Sequence, residues 1–199
     1  IRIKIILMAL NAGSLTTIAG PMFSGKSTEL ARITRRQKIV GKKCLVVKFH
    51  RDTRYGNQLR NHDGVVYDFC DIVHADHLAA VNINSYDVIG IDEGQFFPDI
   101  MLANDWATAG KIVIVSGLNL SYKLQPFTAF CNLCALAEFH IKLTAVCGCG
   151  AEAIYTWLCG SQPADGILIG NESNGYKAVC RECYNRHIAF SANALPMEM

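Results

Sequence analysis

The sequence lacks a marked excess of charge of either sign. Its 199 residues include 19 lysines and arginines and 17 aspartates and glutamates, which gives a formal net charge of +2. Proteins that coat nucleic acid or lie on anionic membranes rely on a large positive excess, so this balance argues against both partners. A local phosphate site is compatible with it, because such a site needs only a few well-placed donors.

Long apolar runs, internal repeats and low-complexity tracts are also missing. No stretch approaches the roughly 20 apolar residues of a membrane-spanning helix. Residues 1–10 carry Arg2 and Lys4 before a short apolar stretch without a clean cleavage site, which favours a weakly ordered extension over a targeting signal. The length suits one sizeable core with a small appendage.

Cysteine, in contrast, is abundant, with nine in the chain. Cys147-Gly148-Cys149 and Cys180-Arg181-Glu182-Cys183 are close pairs, a spacing typical of metal sites rather than of disulfides. We therefore expect a small ribbon of strands clipped by zinc from residue 147 onward. The environment is expected to be reducing and cytoplasmic, with the remaining thiols buried.

Alternating apolar runs and polar breaks predict an α/β fold with a parallel sheet and crossover helices. In the first helix Leu30, Ile33, Gln37 and Val40 share one face, and Gly41 is predicted to end it. Strands are predicted at 15–19, 44–49, 65–69, 88–91, 112–115 and 141–146, and helices at 26–40, 98–109 and 129–137.

A phosphate-binding motif lies between the first predicted strand and helix. Gly20-Pro21-Met22-Phe23-Ser24-Gly25-Lys26-Ser27 matches the pattern G-x-x-x-x-G-K-[ST]. Glycines let the backbone wrap around phosphate oxygens, and consecutive N–H groups with the helix N-terminus supply positive potential. We expect Lys26 to reach the β- and γ-phosphates of a nucleotide and Ser27 to bind Mg²⁺.

Two adjacent acids end another strand. Val88–Ile91 is apolar and runs into Asp92 and Glu93. A phosphate loop works with an acid at a neighbouring strand end, so Asp92 is predicted to hold Mg²⁺ through water. Neighbouring side chains there point in different directions, which leaves Glu93 as the base that accepts the proton of an attacking hydroxyl. The alternative is that both acids merely begin a loop.

A basic residue follows the second strand, in Asp52-Thr53-Arg54-Tyr55. An arginine at the carboxyl end of a parallel strand can face a transferring phosphate, where its planar guanidinium offsets growing charge. The local sequence alone favours a surface salt bridge instead.

Taken together, these motifs resemble the type II thymidine kinases, the cellular and large-virus kind. The resemblance runs in order from about Ser14 to Arg186 and is most specific in the string DEGQFFPDI. The segments that carry it are 20–30 (GPMFSGKSTEL), 52–55 (DTRY), 89–100 (IGIDEGQFFPDI), 142–147 (KLTAVC) and 179–184 (VCRECY).

The resemblance implies a RecA-like P-loop domain over residues 14–146 and a zinc-bearing lasso domain over 147–190, with poorly ordered ends at 1–13 and 191–199. It implies Mg-ATP as the phosphate donor and thymidine as the acceptor. It further suggests feedback inhibition by thymidine triphosphate and a homotetramer. The lasso, residues 161–177, is expected to close over the nucleoside and exclude water.

The resemblance also assigns roles to single residues. The implied catalytic set is Glu93 as the base, Arg54 as a phosphate contact, and Lys26. The ATP and Mg²⁺ contacts are residues 20–27 with Thr28, Asp52, Asp92 and Gln95. Aromatic side chains and Met22 are expected to enclose the thymine ring: Phe96, Tyr122, Phe127 and Tyr176, with Tyr122 where the family usually has Phe.

One segment departs from the family pattern. Asn119 and Leu120 stand where the family has Asp and Gly, and Leu124 and Gln125 stand at or near an Arg-Lys pair. These differences change charge and turn geometry where the lasso begins, so they bear on substrate range and subunit contacts.

The zinc ligands are a second departure. The implied set is Cys147, Cys149, Cys180 and Cys183, but the family carries two C-x-x-C pairs and the first pair here is one residue shorter. Tetrahedral thiolate sites favour two to four intervening residues, but Gly148 adds flexibility and Gly150 follows, which allows a strained closure. We expect a four-cysteine zinc site; the alternative is a partial or absent one.

Other cysteine and histidine residues are alternatives or bystanders. Cys159 or His187 could replace a ligand. Cys131 and Cys134 form a further C-x-x-C, but they lie in a predicted helix, so we interpret them as core thiols.

Two other functions compete with a nucleoside kinase. One is a RecA-like ATPase in which Glu93 activates water; such motors need a basic channel, and DNA-stimulated ATP hydrolysis would identify one. The other is a zinc-ribbon binding module with a regulatory nucleotide site. Its main cations would be Lys177, Arg181 and Arg186, which are few for a nucleic-acid reader.

Overall fold

The computed structural model describes residues 13–50, 59–60, 66–67, 69–159 and 175–193. The strands are β1 (Ser14–Ala19), β2 (Cys44–Phe49), β3 (Leu59–Arg60), β4 (Val66–Tyr67), β5 (Asp71–Ala75), β6 (Val88–Ile91), β7 (Ile112–Gly117), β8 (Phe139–Lys142), β9 (Ala145–Val146), β10 (Glu152–Ala153), β11 (Tyr155–Leu158) and β12 (Tyr176–Val179). The helices are α1 (Lys26–Ile39), α2 (Leu102–Thr108), α3 (Thr128–Leu136) and α4 (Arg181–Asn193), with 3₁₀ turns at Leu78–Ala80 and Gly94–Phe96.

Six strands form one parallel sheet in the order β5-β2-β6-β7-β1-β8. Every residue of β1, β2, β6 and β7 is buried, because helices cover both faces. Leu30 of α1 packs with Ile18 on one face, and Phe130 of α3 packs with Leu15 on the other. The predicted α/β fold is confirmed, and continuous apolar strands are what a doubly covered parallel sheet requires.

The carboxyl ends of three central strands meet at one edge of the sheet. Ala19 of β1 pairs with Gly117 of β7, and Ile91 of β6 pairs with Val115 of β7. The loops that follow these strands therefore lie side by side. In open α/β sheets ligands bind at this edge, so the fold places the phosphate motif and the two acids in the usual region.

Helix α1 ends where the sequence predicts. Gly41 has φ +86, the N–H of Gly41 bonds the Lys38 carbonyl at 3.0 Å, and that of Lys42 bonds the Gln37 carbonyl at 3.1 Å. This pair of bonds is a Schellman motif, which needs a left-handed residue and so favours glycine. The prediction that Val40 shares the buried face is wrong, because Val40 caps the helix and is 63% exposed.

Several element boundaries differ from those predicted. Strand β5 was not predicted; it is a short edge strand with no fully buried residue. The predicted strand 141–146 divides into β8 and β9. The last bond to β1 is that of the Leu143 N–H with the Ala19 carbonyl, at 2.7 Å, and Ala145 and Val146 pair with β10 instead. Helix α2 begins at Leu102 rather than at Pro98, since residues 98–101 form turns.

A small second unit follows the sheet. Strands β9 and β10 form one antiparallel pair and β11 and β12 another, and we call residues 145–159 and 175–184 the ribbon. Helix α4, which was not predicted, begins in the ribbon and extends to Asn193, past the predicted domain boundary at 190. Within the described residues, none of the helices combines the length and the apolar character needed to cross a membrane.

Candidate active site and cysteine cluster

The phosphate motif forms a tight loop between β1 and α1. Lys26 Nζ and Ser24 Oγ both donate to the Pro21 carbonyl, at 2.7 and 2.8 Å. Gly20 is sterically required, because a Cβ there would lie 2.6 Å from Ser24 Oγ and 2.7 Å from the Leu143 carbonyl oxygen. Gly25 has φ +79 in open space. The loop thus has the predicted form, while phosphate binding by residues 20–28 stays a prediction.

A hydroxyl and a carboxylate meet beside this loop. Ser27 Oγ donates to Asp92 Oδ1 at 3.0 Å, and Ser116 Oγ donates to the same oxygen at 2.6 Å. Asp92 is only 5% exposed, and the Glu93 N–H also donates to its Oδ1, at 3.2 Å. The sequence placed these residues on different elements, and the fold joins them. Hard oxygen ligands of this kind fit Mg²⁺, which keeps several waters of its own.

Glu93 occupies an unusual backbone position directly after Asp92. Its φ is +55 and its ψ is +44, a left-handed conformation that costs a non-glycine residue roughly 1–2 kcal/mol. Its side chain is half-buried, and its Oε2 accepts a hydrogen bond from Gln95 Nε2 at 2.8 Å. The turn therefore places Asp92 against the phosphate loop, while Gln95 and Phe96, which follow it, face a different region.

Gln95 and Phe96 line a cavity of about 250 Å³. The five residues predicted to bind the substrate all line it: Met22, Phe96, Tyr122, Phe127 and Tyr176. Sequence reasoning missed other lining residues, which have no local signal of their own: Leu118, Leu120, Ser121 and Thr156. Gln95, assigned above to ATP or Mg²⁺, lines this cavity as well. Substrate binding by these residues stays a prediction.

Two pairs of aromatic rings line the cavity. The Phe96 ring lies 6.5 Å from that of Phe127 in an edge-to-face arrangement and 5.4 Å from that of Phe49. The Tyr122 and Tyr176 rings are 6.3 Å apart. Burial raises the pKa of Tyr176, so this hydroxyl stays protonated at neutral pH. An apolar cavity with a few hydroxyls suits a flat, uncharged ring.

The loop that departs from the family pattern forms one side of this cavity. Leu120 bridges to Pro126, and the Ser121 N–H bonds the Gln125 carbonyl at 2.9 Å. Leu124 takes a left-handed conformation, with φ +57. Leu120 and Leu124 both pack against the ribbon, so the two leucines supply an apolar contact between the loop and the ribbon.

The phosphate loop also touches the ribbon directly. The N–H of Met22 donates to Thr156 Oγ1 at 3.0 Å, and Thr156 is buried on β11. Phe23, with φ +66, packs against the same apolar cluster as Cys147 and Cys180. The strained loop is therefore held in part by residues more than a hundred positions away.

The four predicted zinc ligands come together in the ribbon. The sulfurs of Cys147, Cys149, Cys180 and Cys183 all lie within 4.8 Å of one another, and no other such metal-ligand group occurs in the described ranges. Cys149 Sγ and Cys180 Sγ are 3.7 Å apart. Four clustered cysteine sulfurs are the usual ligand set of structural Zn²⁺, so the cluster could hold a zinc ion.

Hydrogen bonds within the cluster shift the pKa values of two of these thiols in opposite directions. Backbone N–H groups of Cys149 and Cys180 lower the pKa of Cys147 to about 6. Hydrogen bonds with Cys149 and the other two sulfurs raise the pKa of Cys183 to about 12. Zinc binds cysteine as the thiolate, so a metal in this cluster would displace the thiol protons.

The short first pair closes by a tight turn. The Gly150 N–H bonds the Cys147 carbonyl at 2.8 Å, and the Cys147 N–H bonds the Ala151 carbonyl at 2.9 Å. Gly150 has φ +87 in open space, so glycine allows the chain to reverse at once. The turn brings both sulfurs to one side despite the missing residue.

The alternative ligands lie elsewhere in the structure. Cys159 is exposed, and the His187 ring stacks on Trp157 at 4.9 Å; neither belongs to the four-sulfur group. Cys131 donates to the Asn119 carbonyl at 3.3 Å, and burial raises the pKa of Cys134. Cys134 packs against the hydrophobic core as predicted, whereas Cys131 is only partly buried and bonds the loop instead. Asp52, Arg54 and residues 160–174 of the predicted lasso lie outside the described residues.

The fold and the site define an α/β protein of the P-loop class with a second pocket beside the phosphate loop. Comparison with known proteins specifies the family. The family model "Thymidine kinase" matches residues 13–184, and the chain therefore belongs to the thymidine kinase family.

Poxvirus proteins are among its relatives. The chain is 42% identical to the thymidine kinase of Myxoma virus (strain Lausanne) over 179 residues, which cover 89% of this chain and 99% of the viral one. It is 43% identical to that of Monkeypox virus over 183 residues, covering 88% and 98%. The thymidine kinase of Vaccinia virus (strain Western Reserve) is 42% identical over the same shares.

Proposed function

We propose that this protein transfers the γ-phosphoryl group of ATP to the 5′-hydroxyl of thymidine. The observation that carries this proposal is the turn 92–96, which joins two different pockets. Asp92 bonds Ser27 of the phosphate loop, whereas Gln95 and Phe96 line the aromatic cavity. Donor and acceptor would therefore bind on either side of Glu93.

The phosphate loop would hold the donor. Its backbone N–H groups and Lys26 would bind the β- and γ-phosphates and draw charge from the transferring group. Ser27 and Asp92 would hold Mg²⁺, which bridges phosphate oxygens and neutralises their charge when bound. Arg54 would add a contact to the γ-phosphate, as the family motif in which it stands suggests.

The cavity would hold the acceptor. The rings of two aromatic pairs that line it, Phe96 with Phe127 and Tyr122 with Tyr176, would enclose the thymine ring. Glu93 would accept the 5′-hydroxyl proton as that oxygen bonds to the γ-phosphorus and the bond to ADP breaks. The cavity volume of about 250 Å³ limits the room for water, a smaller competing nucleophile.

The deciding experiment follows labelled γ-phosphate from Mg-ATP to thymidine, deoxycytidine and water. We expect thymidine to be labelled selectively, and Glu93→Gln to abolish this while ATP still binds. Glu152→Gln is the matched control: it makes the same change on the exposed edge of the ribbon and should leave transfer intact. Phosphate released to water with no nucleoside labelled would contradict the proposal and favour an ATPase.

The structural metal is part of the same proposal. We expect one Zn²⁺ per chain, held by the four sulfurs of the cysteine cluster. Metal analysis after gel filtration in chelator-free buffer would detect it. A chain that folds and is active at less than about 0.1 zinc per protomer would contradict this assignment.

The family also suggests regulation, assembly and location. We propose feedback inhibition by thymidine triphosphate, a homotetramer and a cytoplasmic location. All nine cysteines are free thiols, which suits a reducing compartment. Ile39 and Val40 are 76% and 63% exposed at the end of α1, which leaves apolar surface for subunit contacts. Light scattering would give the oligomeric state, and inhibition assays would test the triphosphate.

A further inference from the structure

Gln95 connects the candidate base to the wall of the acceptor cavity. Its Nε2 donates to Glu93 Oε2 at 2.8 Å, and its Oε1 accepts from the Leu118 N–H at 2.9 Å. Both ends of one side-chain amide are therefore used, one by the candidate base and one by the main chain beyond β7. The same side chain lines the cavity.

The amide can take only one orientation here. A backbone N–H is a donor, so the atom facing Leu118 must be the oxygen. The nitrogen then faces Glu93 and donates to its carboxylate, which accepts well when ionised. The Leu118 N–H thus fixes which end of the Gln95 amide faces Glu93. If the amide were flipped, its NH₂ group would face the Leu118 N–H, and two donors would meet.

Close packing restricts this turn further. A Cβ on Gly94 would lie 2.6 Å from Val115 Cγ1, and a Cβ on Gly117 would lie 2.9 Å from Gln95 Oε1. Val115 is fully buried and cannot move aside, so the turn needs glycine at position 94. At position 117 an added Cβ would displace the end of the Gln95 side chain. The amide of Gln95 fills the space that Gly117 leaves.

We infer that Gln95 is a positioning residue for Glu93: it orients the carboxylate that would accept the proton of the 5′-hydroxyl. This inference rests on the proposed function. Glu93 has a left-handed backbone and a half-buried side chain with several rotamers, so an added bond narrows the directions that its carboxylate takes. Orientation matters because a shift of about 1 Å in a reacting group can cost on the order of 10²-fold in rate. The role differs from the ATP or Mg²⁺ contact expected from the sequence.

The competing explanation is that Gln95 only stabilises the fold. Two substitutions distinguish this structural role from the positioning of Glu93. Gln95→Met keeps length but removes both hydrogen bonds. Gln95→Glu keeps an acceptor for the Leu118 N–H but places a carboxylate against Glu93. If Gln95 only anchors Leu118, the loss of activity in Gln95→Met is the same with and without Glu93. If Gln95 positions Glu93, that loss depends on Glu93 being present.

The experiment measures kcat and KM for thymidine at saturating Mg-ATP, with each variant in the wild-type and Glu93→Gln backgrounds. Single-turnover assays reach the low rates of the second background. We expect Gln95→Met to lower kcat about 10- to 100-fold, and Gln95→Glu at least as much. In the Glu93→Gln background Gln95→Met should cost less than about 3-fold, because its effect passes through Glu93.

The pH profile supplies a separate readout. In Gln95→Glu the new carboxylate opposes ionisation of the base, so the acid limb of kcat/KM should move to higher pH. Gln125→Met is the matched control, since it makes the same change on an exposed side chain of the neighbouring loop, and it should keep the wild-type profile.

The outcomes that overturn the inference are distinct. The inference is wrong if Gln95→Glu keeps the wild-type kcat. It is also wrong if Gln95→Met lowers kcat as much in the Glu93→Gln background as in the wild type, or if the Gln95 variants change only KM. If these variants unfold, Gly117→Ala displaces the amide without removing it and should show the same dependence on Glu93. If the wild-type protein does not phosphorylate thymidine, the proposed function is wrong as well. If the wild type is active and the Gln95 variants have unchanged activity, only the inference is wrong.

Discussion

The phosphate loop and the cysteine cluster are neighbours, but their parts come from different distances along the chain. Residues 20–27 are consecutive, and the loop closes on the carbonyl of its own Pro21. The cluster joins Cys149 to Cys180, 31 positions away. A loop with short-range bonds forms with the first strand and helix, whereas the cluster requires the whole ribbon to be in place.

The two regions are nevertheless coupled. The Met22 N–H donates to Thr156 Oγ1, and Phe23 packs against the apolar cluster that contains Cys147. Both loop residues thus depend on the ribbon for contacts. We expect the phosphate loop to form without metal but to hold its shape less firmly, and the following changes test that comparison from the largest effect to the smallest.

Lys26→Met should have the largest effect, and only on chemistry. Removing a cation from a developing negative charge costs about 10³-fold in kcat, roughly 4 kcal/mol. Lys26 is the first residue of α1 and is half-buried, so its replacement should change the melting temperature by no more than about 3 °C. Steady-state kinetics and thermal melting measure both. A large loss of stability would show that the loop is not the independent unit described above.

Cys183→Ser should have the next largest effect, on metal and ribbon together. One of four ligands accounts for about a quarter of the roughly 10–16 kcal/mol of a structural zinc site, so zinc affinity should fall about 10²-fold or more. Competition with a chromophoric chelator measures it, and limited proteolysis should find residues 145–184 exposed while the sheet persists. Cys159→Ser lies outside the cluster and should bind zinc as the wild type does; equal loss in both would refute the assignment.

Thr156→Val tests the contact between the two regions. It leaves the partly buried Met22 N–H without its acceptor, at a cost of about 1 kcal/mol, the low end of the range for buried groups, part of which should appear as a several-fold weaker affinity for ATP. Thr156→Ser keeps the hydroxyl and should therefore keep most of the wild-type affinity for ATP. Calorimetric titration with a non-hydrolysable ATP analogue gives the affinities. Unchanged ATP binding in the valine variant would mean that the ribbon does not brace the loop.

Gly41→Ala should have the smallest effect and none on either region. Its φ is +86 and no atom within 4 Å would meet the added Cβ, so the cost is backbone strain alone, about 1 kcal/mol. This predicts a melting temperature lower by about 2–4 °C with normal kcat and zinc content. A loss of activity would indicate that the far end of α1 influences the phosphate loop.

The predictable part of the fold has a common physical basis. Strands β1, β2 and β6 are continuous apolar runs, and α1 has a phosphate motif before it and Gly41 after it. These signals are local, since a buried strand must be apolar along its length and a helix needs particular residues at its ends. The same local logic identified Asp92 and Glu93 at a strand end.

The missed elements lack such signals. Strand β5 is an edge strand with partly exposed residues, so its composition resembles a loop. Helix α4 carries Cys183 and a buried Tyr184 among mostly exposed residues, and its packing against the ribbon stabilises it. For both elements the stabilising contacts lie elsewhere in the chain.

By itself, the sequence determined the order of strands and helices, the phosphate loop and the identity of the two acids, because each of these is written in residues close together along the chain. The tertiary structure alone decided that Ser116 bonds Asp92, that Gln95 bonds both Glu93 and the Leu118 N–H, and that a C-x-C pair can complete a four-sulfur cluster. The reason is physical: these contacts join elements that the register of the sheet and the packing of the ribbon bring together, and neither is encoded in any single stretch of sequence.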